Sequence, residues 1–150
     1  MSLLRRRMML RSIINSIIGF IPGNYSQISV DANGVFTLEN FNAWIVYTVP
    51  FSRSINVHTG DVVTFRLNSA YGNLSGQFCD GGFYLPGAGI NSPQLRVFKN
   101  RNPETNIDYT ATANTDFTAT HWGLAVRNSS YNYNGRLIKP EIFINGVQIV

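Results

Sequence analysis

From Asn24 onward the chain consists of short runs in which hydrophobic and polar residues alternate. Each run is bounded by residues that favour turns. β-branched and aromatic residues fill the longer runs at 43–51, 61–69, 94–100, 106–114 and 116–128, and the shorter runs at 27–30, 35–38, 55–57 and 78–85. A period of two is typical of strands with one buried face. Many short strands with no helical pattern between them predict an all-β fold, and a jelly-roll-like antiparallel β-sandwich fits their number best.

The chain ends with a hairpin signal and contains one run that is apolar on both faces. Asn145-Gly146 separates 141–144 from 147–150, and this dipeptide favours a two-residue hairpin turn. In the run 43–51, Trp44 and Val46 alternate with Ile45 and Tyr47, so neither face is polar. Such a strand is expected to lie centrally in a sheet, or to have its outer face covered by a partner.

The first residues follow a different period. Apolar residues lie at the spacing of one helical face, at Leu10, Ile13, Ile14, Ile17, Ile18 and Ile21. Pro22-Gly23 then ends the pattern. The sequence therefore predicts a short N-terminal amphipathic α-helix, with one segment over 1–23 and a β-sandwich domain over 24–150.

Basic charge is concentrated in the same segment. The formal net charge is +4, and four of the twelve basic residues are Arg5, Arg6, Arg7 and Arg11. The remainder of the chain carries equal numbers of basic and acidic residues, so it has no basic patch that would follow a phosphate backbone. A nucleic-acid contact is therefore expected only through the N-terminal arginines, if at all.

The N-terminal segment is a poor signal peptide or membrane span. Arg11, Asn15 and Ser16 interrupt the apolar run, and no small-residue cleavage site follows it. A span needs roughly 20 apolar residues, and this run is about half as long. Three interpretations remain open: a helix in a membrane interface, an arginine arm on packaged nucleic acid, and self-association.

Heptad spacing favours self-association. Leu3, Arg7, Leu10, Ile14, Ile17 and Ile21 lie at alternating steps of four and three residues. Isoleucine at both kinds of core position favours trimers, so a homotrimer is expected, supported by the globular domain. The predicted assembly anchor comprises Leu3, Leu4, Arg5, Arg6, Arg7, Leu10, Ile13, Ile14, Ile17, Ile18 and Ile21.

No arrangement of residues points to catalysis, a metal or a cofactor. His58 lies in a predicted turn, His121 on a strand, and Cys79 and Asp80 have no partner histidine nearby in sequence. No nucleophile, nucleotide or paired-carboxylate motif occurs. Asp31, Asn33 and Gly34 are explained by a β-turn.

Aromatic residues in polar loops suggest a different kind of site. Tyr71 lies in "SAYGN", and Tyr131 and Tyr133 lie in "SSYNYNGR". Exposed aromatic rings flanked by amide side chains stack on sugar rings, and loops at one end of a sandwich commonly carry binding residues. These three tyrosines are therefore candidates for a glycan-binding site.

The opening "MSLLRRRMML" resembles the start of small bacteriophage structural proteins. "VHTGDVVTFRLNS" (57–69) and "GRLIKPEIFINGVQIV" (135–150) are similar to segments of the carbohydrate-binding-module-like sandwiches on phage tail, neck and head fibres. The resemblance implies a non-enzymatic virion protein. We expect it to dock through residues 1–22 into a capsid, neck or tail assembly. The alternatives are a fibre module that binds a host glycan and a jelly-roll capsid protein whose arginine arm meets nucleic acid.

Overall fold

The computed structural model describes residues 17–39, 42–69, 79–101, 107–127 and 136–150, and these residues contain strands and turns but no helix. The strands are β1 (Gly23–Tyr25), β2 (Ile28–Val30), β3 (Phe36–Leu38), β4 (Val46–Val57), β5 (Val62–Ser69), β6 (Cys79–Phe83), β7 (Leu95–Arg101), β8 (Asp108–Thr112), β9 (Phe117–Val126), β10 (Arg136–Ile144) and β11 (Val147–Gln148). The all-β prediction is confirmed for this part of the chain.

The strands form two antiparallel sheets. The larger sheet has seven strands in the order β1-β2-β3-β10-β5-β8, with β11 paired to β10. The smaller sheet has four strands in the order β4-β9-β6-β7. Many neighbours within a sheet are far apart in the chain, so most of the pairing is long-range.

One hydrophobic core lies between the sheets. Phe36 and Phe65 enter it from β3 and β5 of the larger sheet, and Phe83 and Trp122 enter it from β6 and β9 of the smaller sheet. The ring centroid of Trp122 lies 5.4 Å from that of Phe36 and 6.1 Å from that of Phe65. Because these contacts cross from one sheet to the other, the architecture is β-sandwich-like.

The two outer faces differ in character. The larger sheet carries a polar face, on which Arg66 of β5 donates two hydrogen bonds to Asp108 of β8, at 2.8 and 3.0 Å. Beside them the hydroxyls of Thr64 and Thr110 lie 3.2 Å apart. An antiparallel sheet commonly keeps one face in solvent in this way. On the smaller sheet, by contrast, every residue of β6 is buried, including those that point away from the core.

Each predicted strand overlaps a strand of the structure, but two are joined, two boundaries differ, and β1 is not among the predicted strands. β4 begins at Val46 rather than at residue 43. The predicted strands 43–51 and 55–57 belong to one strand, β4, whose register with β9 shifts between Pro50 and Ile55. β10 begins at Arg136, upstream of the predicted 141–144. Asn145 and Gly146 form the turn between β10 and β11 with φ values of 51° and 80°, as a hairpin turn of this type requires.

The two-faced apolar run does not lie centrally. β4 is an edge strand, since β9 is its only partner among the strands of the described residues. Trp44 and Ile45 precede the strand and are exposed. The first of the two interpretations of this run is therefore wrong, and cover by a partner stays a prediction.

Residues 17–22, which we call the N-terminal strap, are extended rather than helical. The strap lies along the free edge of β4, where Ile21 N–H donates to the Pro50 carbonyl at 3.0 Å and Ser52 N–H donates to the Gly19 carbonyl at 2.7 Å. The predicted helix therefore does not extend to Ile21. Residues 1–16 lie outside the described residues, and a helix there stays a prediction.

The strap alternates between core and solvent. Ile18 and Phe20 are buried, with 8% and 7% of their surfaces exposed, whereas Ile17 and Ile21 are exposed. The Phe20 ring centroid lies 4.7 Å from that of Phe36. The letters "IIGFI" fit a helical face as well as a strand, and the aromatic contacts available to Phe20 favour the strand. The folded domain thus includes Ile18 and begins upstream of the predicted boundary at residue 24.

Candidate binding site

The structure describes only part of the predicted site residues. Outside the described residues lie the tyrosines proposed to bind glycans and most of the anchor, namely Tyr71, Tyr131, Tyr133, Leu3, Leu4, Arg5, Arg6, Arg7, Leu10, Ile13 and Ile14. Of the remaining anchor residues, Ile18 is buried in the core of its own chain and cannot face a partner. Ile17 and Ile21 are 51% and 45% exposed and remain available.

The outer face of the four-stranded sheet carries a buried charge. Asp80 on β6 has no exposed surface. Because side chains alternate along a strand, it points away from the core that Cys79 enters. Two arginines satisfy this carboxylate.

Arg127, directly after β9, donates Nε–H to Asp80 Oδ1 and Nη2–H to Asp80 Oδ2, each at 2.7 Å. Arg96 on β7 places Nε 3.1 Å from Oδ2, close enough for an ion pair but not aligned for a hydrogen bond. The hydrogen bond to Asp80 raises the pKa of Arg127, so Arg127 stays protonated. We call these three residues the Asp80 cluster; it holds two positive charges and one negative charge.

The connection between β6 and β7 folds over this face of the sheet. The Tyr84 hydroxyl donates to the Ile90 carbonyl at 3.1 Å, and Arg96 Nη2–H donates to the same oxygen at 2.6 Å. The Tyr84 ring rests on Gly123 of β9, where an added Cβ would lie 2.5 Å from Tyr84 Cδ2. Gly123 is thus required for this close approach. Burial raises the pKa of the Tyr84 hydroxyl.

Trp44 is presented to solvent beside the Asp80 cluster. Its backbone N–H donates a hydrogen bond to the Val126 carbonyl at 2.8 Å. Its φ of 69° lies in the left-handed region that bulky residues rarely adopt. The residue is nevertheless 55% exposed. The guanidinium carbon of Arg127 lies 5.7 Å from the ring centroid, within the range of a cation–π contact.

Asn91 completes this surface. Its Oδ1 accepts a hydrogen bond from Arg127 Nη2 at 3.3 Å, and the residue is exposed. Arg127 Nη1 has no hydrogen-bond partner among the described residues. We call Trp44, Asn91 and Arg127 the Trp44 platform.

The titratable residues that the sequence offers for catalysis lie in different environments. His58 lies in an exposed turn. His121 lies on β9, with Nδ1 2.8 Å from Thr120 Oγ1, and burial lowers its pKa. Cys79 is buried in the core. Across the described ranges, no three His, Cys, Asp or Glu residues are grouped so that they could hold a metal ion.

Two carboxylates at the end of the sandwich hold turns in place. Asp61 Oδ2 accepts the His58 N–H at 2.8 Å, and Asp61 Oδ1 accepts the Asn145 side-chain amide at 2.9 Å. Asp116 accepts both the N–H and the hydroxyl of Thr59. The hydrogen bonds lower the pKa of each carboxyl. The largest cause is the backbone N–H of His58 for Asp61 and the backbone N–H of Thr59 for Asp116.

Sequence reasoning missed the Trp44 platform. The sequence pattern predicts a strand at Trp44, and nothing local reveals that its backbone adopts a positive φ. Arg96 lies inside the apolar run "QLRVF", and Asp80 follows a core cysteine. In a chain with only 13% charged residues, a charge inside a strand is a signal for a buried ion pair, although the partner cannot be named from it.

Comparisons of the chain with protein-family models, with curated proteins and with solved structures give no match. Among the described residues, no helix is long and apolar enough to cross a membrane.

Proposed function

We propose that this protein is a non-enzymatic structural and interaction protein of a bacteriophage virion, which docks through its N-terminal segment into a capsid, neck or tail assembly. The observation that carries the proposal is the N-terminal strap. Ile18 and Phe20 fasten the strap to the core, while Ile17 and Ile21 face outward. A partner that binds the residues preceding the strap is thereby held rigidly to the sandwich.

We further infer that the sandwich is a jelly roll. If β3 to β10 are taken as eight successive strands, the first, eighth, third and sixth lie side by side in the larger sheet. The second, seventh, fourth and fifth lie side by side in the smaller sheet. This interleaving is what two Greek keys folded on each other produce, and such jelly rolls are common in viral capsid proteins and lectins.

A cavity beside the strap supports docking at this place. Its volume is about 250 Å³, and its lining includes Ile17, Phe20, Lys139, Glu141 and Val150. Both apolar and charged side chains are available there to a partner's side chain. The cavity adjoins the point at which residues 1–16 join the domain.

The proposed homotrimer is restricted by the strap. Ile17 and Ile21 lie in an extended segment, so the heptad series can include only Leu3, Arg7, Leu10 and Ile14. Fewer than two heptads do not associate stably alone. Trimerisation would therefore depend on the sandwich, and mass measurement across a concentration series tests it.

The test of the virion assignment is the composition of the particle. Purified particles of the encoding phage should contain the chain at a fixed stoichiometry by quantitative mass spectrometry. An allele lacking residues 2–16 should yield a folded domain, because Ile18 and Phe20 are retained, but that domain should be absent from the particles. Absence of the full-length chain from purified particles would refute the proposal.

The same preparation separates the two alternatives. If the N-terminal arginines contact packaged nucleic acid, replacing Arg5, Arg6 and Arg7 with Gln should weaken nucleic-acid binding and its salt dependence. If the protein is a receptor-binding fibre module, the N-terminal deletion should remove it from the particle without changing its affinity for a glycan.

A further inference from the structure

Trp44 is held in an exposed position that packing alone does not explain. A tryptophan whose backbone φ is 69° is strained. Strained residues persist where the surrounding structure holds them, often at binding sites. Here the strain does not bury the ring, since 55% of the residue remains exposed. The backbone hydrogen bond to Val126 and the contact with Arg127 hold the side chain in place.

The support beneath Trp44 is rigid. Arg127 is fixed by two hydrogen bonds to a carboxylate that is fully buried. Asn91 is fixed in turn by its bond to Arg127. A surface whose groups are already in place loses little side-chain entropy when a ligand binds.

The chemistry of the platform suits an acidic sugar. The flat face of an indole packs on the C–H face of a pyranose ring, and amide and guanidinium groups hydrogen-bond to hydroxyls and carboxylates. The Asp80 cluster carries one net positive charge. Among the described residues, Arg96 and Arg127 form ion pairs with no acid other than Asp80, and the segments 70–78 and 128–135 contain no acidic residue.

A nucleic acid is a poorer fit. Single strands also stack on aromatic rings, but their binding requires a positively charged groove that follows the backbone. The chain beyond residue 23 has no net charge, and the Asp80 cluster beside the platform carries a single excess positive charge, formed by Arg96 and Arg127 against Asp80.

We propose that the Trp44 platform binds an acidic saccharide, with a pyranose ring on the indole of Trp44 and its carboxylate on the guanidinium group of Arg127. This site does not depend on the virion assembly role. It also differs from the three tyrosines that the sequence suggested.

The experiment exploits the two tryptophans of the chain. Trp122 has no exposed surface and Trp44 is 55% exposed, so a neutral quencher such as acrylamide should reach Trp44 first. The full-length protein is titrated with sialyllactose and with oligogalacturonate, each at millimolar concentration, and with their neutral methyl esters. At least one acid should protect the fluorescence from quenching, and its methyl ester should bind about tenfold more weakly.

Variants assign the signal. Trp44→Ala should weaken binding by about tenfold or more in calorimetry, whereas Ile45→Ala, at a neighbouring residue that is 48% exposed, should change it less than about twofold. Both should keep the melting temperature, and the quenching result on the unaltered protein does not depend on either variant folding. No binding of either acid, equal binding of the methyl ester, or unchanged affinity in Trp44→Ala would each overturn the proposal.

Discussion

Replacing Phe20 with Ala tests whether the N-terminal strap belongs to the folded domain. The Phe20 ring lies 4.7 Å from Phe36 and 5.1 Å from Phe51 between ring centroids, and only 7% of the residue is exposed. Truncation of a buried phenylalanine costs about 3–5 kcal/mol of unfolding free energy. Because an edge segment can detach without unfolding the whole domain, we expect the lower end, about 3 kcal/mol. For a chain of this size that corresponds to a fall in melting temperature of roughly 6–12 °C.

Urea denaturation followed by the fluorescence of Trp122, which is buried in the core, measures the loss. Ile21→Ala is the matched control, because Ile21 lies in the same strap but is 45% exposed; it should cost less than about 0.5 kcal/mol. A loss below about 1 kcal/mol for Phe20→Ala would mean that the strap contributes little to the core. The sandwich domain would then begin near residue 24, as the sequence predicts. The strap could in that case belong to an N-terminal helix.

Three further outcomes are expected. Gly123→Ala should lower stability by about 1–3 kcal/mol in urea denaturation, since its Cβ would collide with the Tyr84 ring, whereas Gly89→Ala, which meets nothing within 4 Å, should be nearly neutral. Asp80→Asn should cost about 3–5 kcal/mol, because it leaves two guanidinium groups without their buried carboxylate; an unchanged melting temperature would contradict the ion cluster. Asp61 has a lowered pKa in the folded state, so its carboxylate stabilises the fold above the ordinary aspartate pKa of about 4. This contribution is lost as the pH falls through the folded-state pKa. The melting temperature should therefore fall less steeply with decreasing pH in Asp61→Asn than in the unaltered protein.

The strands could be predicted because their signals are local. β5, for example, lies within the predicted run 61–69, where Val63, Phe65 and Leu67 enter the core and the residues between them do not. Alternation and turn residues are properties of neighbouring positions, so one sequence is enough to read them. The hairpin at Asn145-Gly146 followed for the same reason.

The strap shows where a local pattern is insufficient. Its apolar residues fit a helical face when they are read with Leu10 to Ile14, and a strand when they are read with β4. The choice depends on Phe36 and Phe51, which receive the Phe20 ring. Those contacts join distant parts of the chain and leave no mark in residues 17–22 themselves.

The two outer faces show why the binding site could not be read from composition. Arg66 and Asp108 form an exposed pair on the larger sheet, where solvent screening leaves little net stabilisation. Asp80 and Arg127 form the same chemical pair on the smaller sheet, but there the carboxylate is buried and the geometry is fixed. In sequence the two pairs look alike; the order β4-β9-β6-β7 makes one of them a rigid support. Since a rigid support is what an exposed Trp44 needs in order to act as a binding surface, the sheet order locates the candidate site.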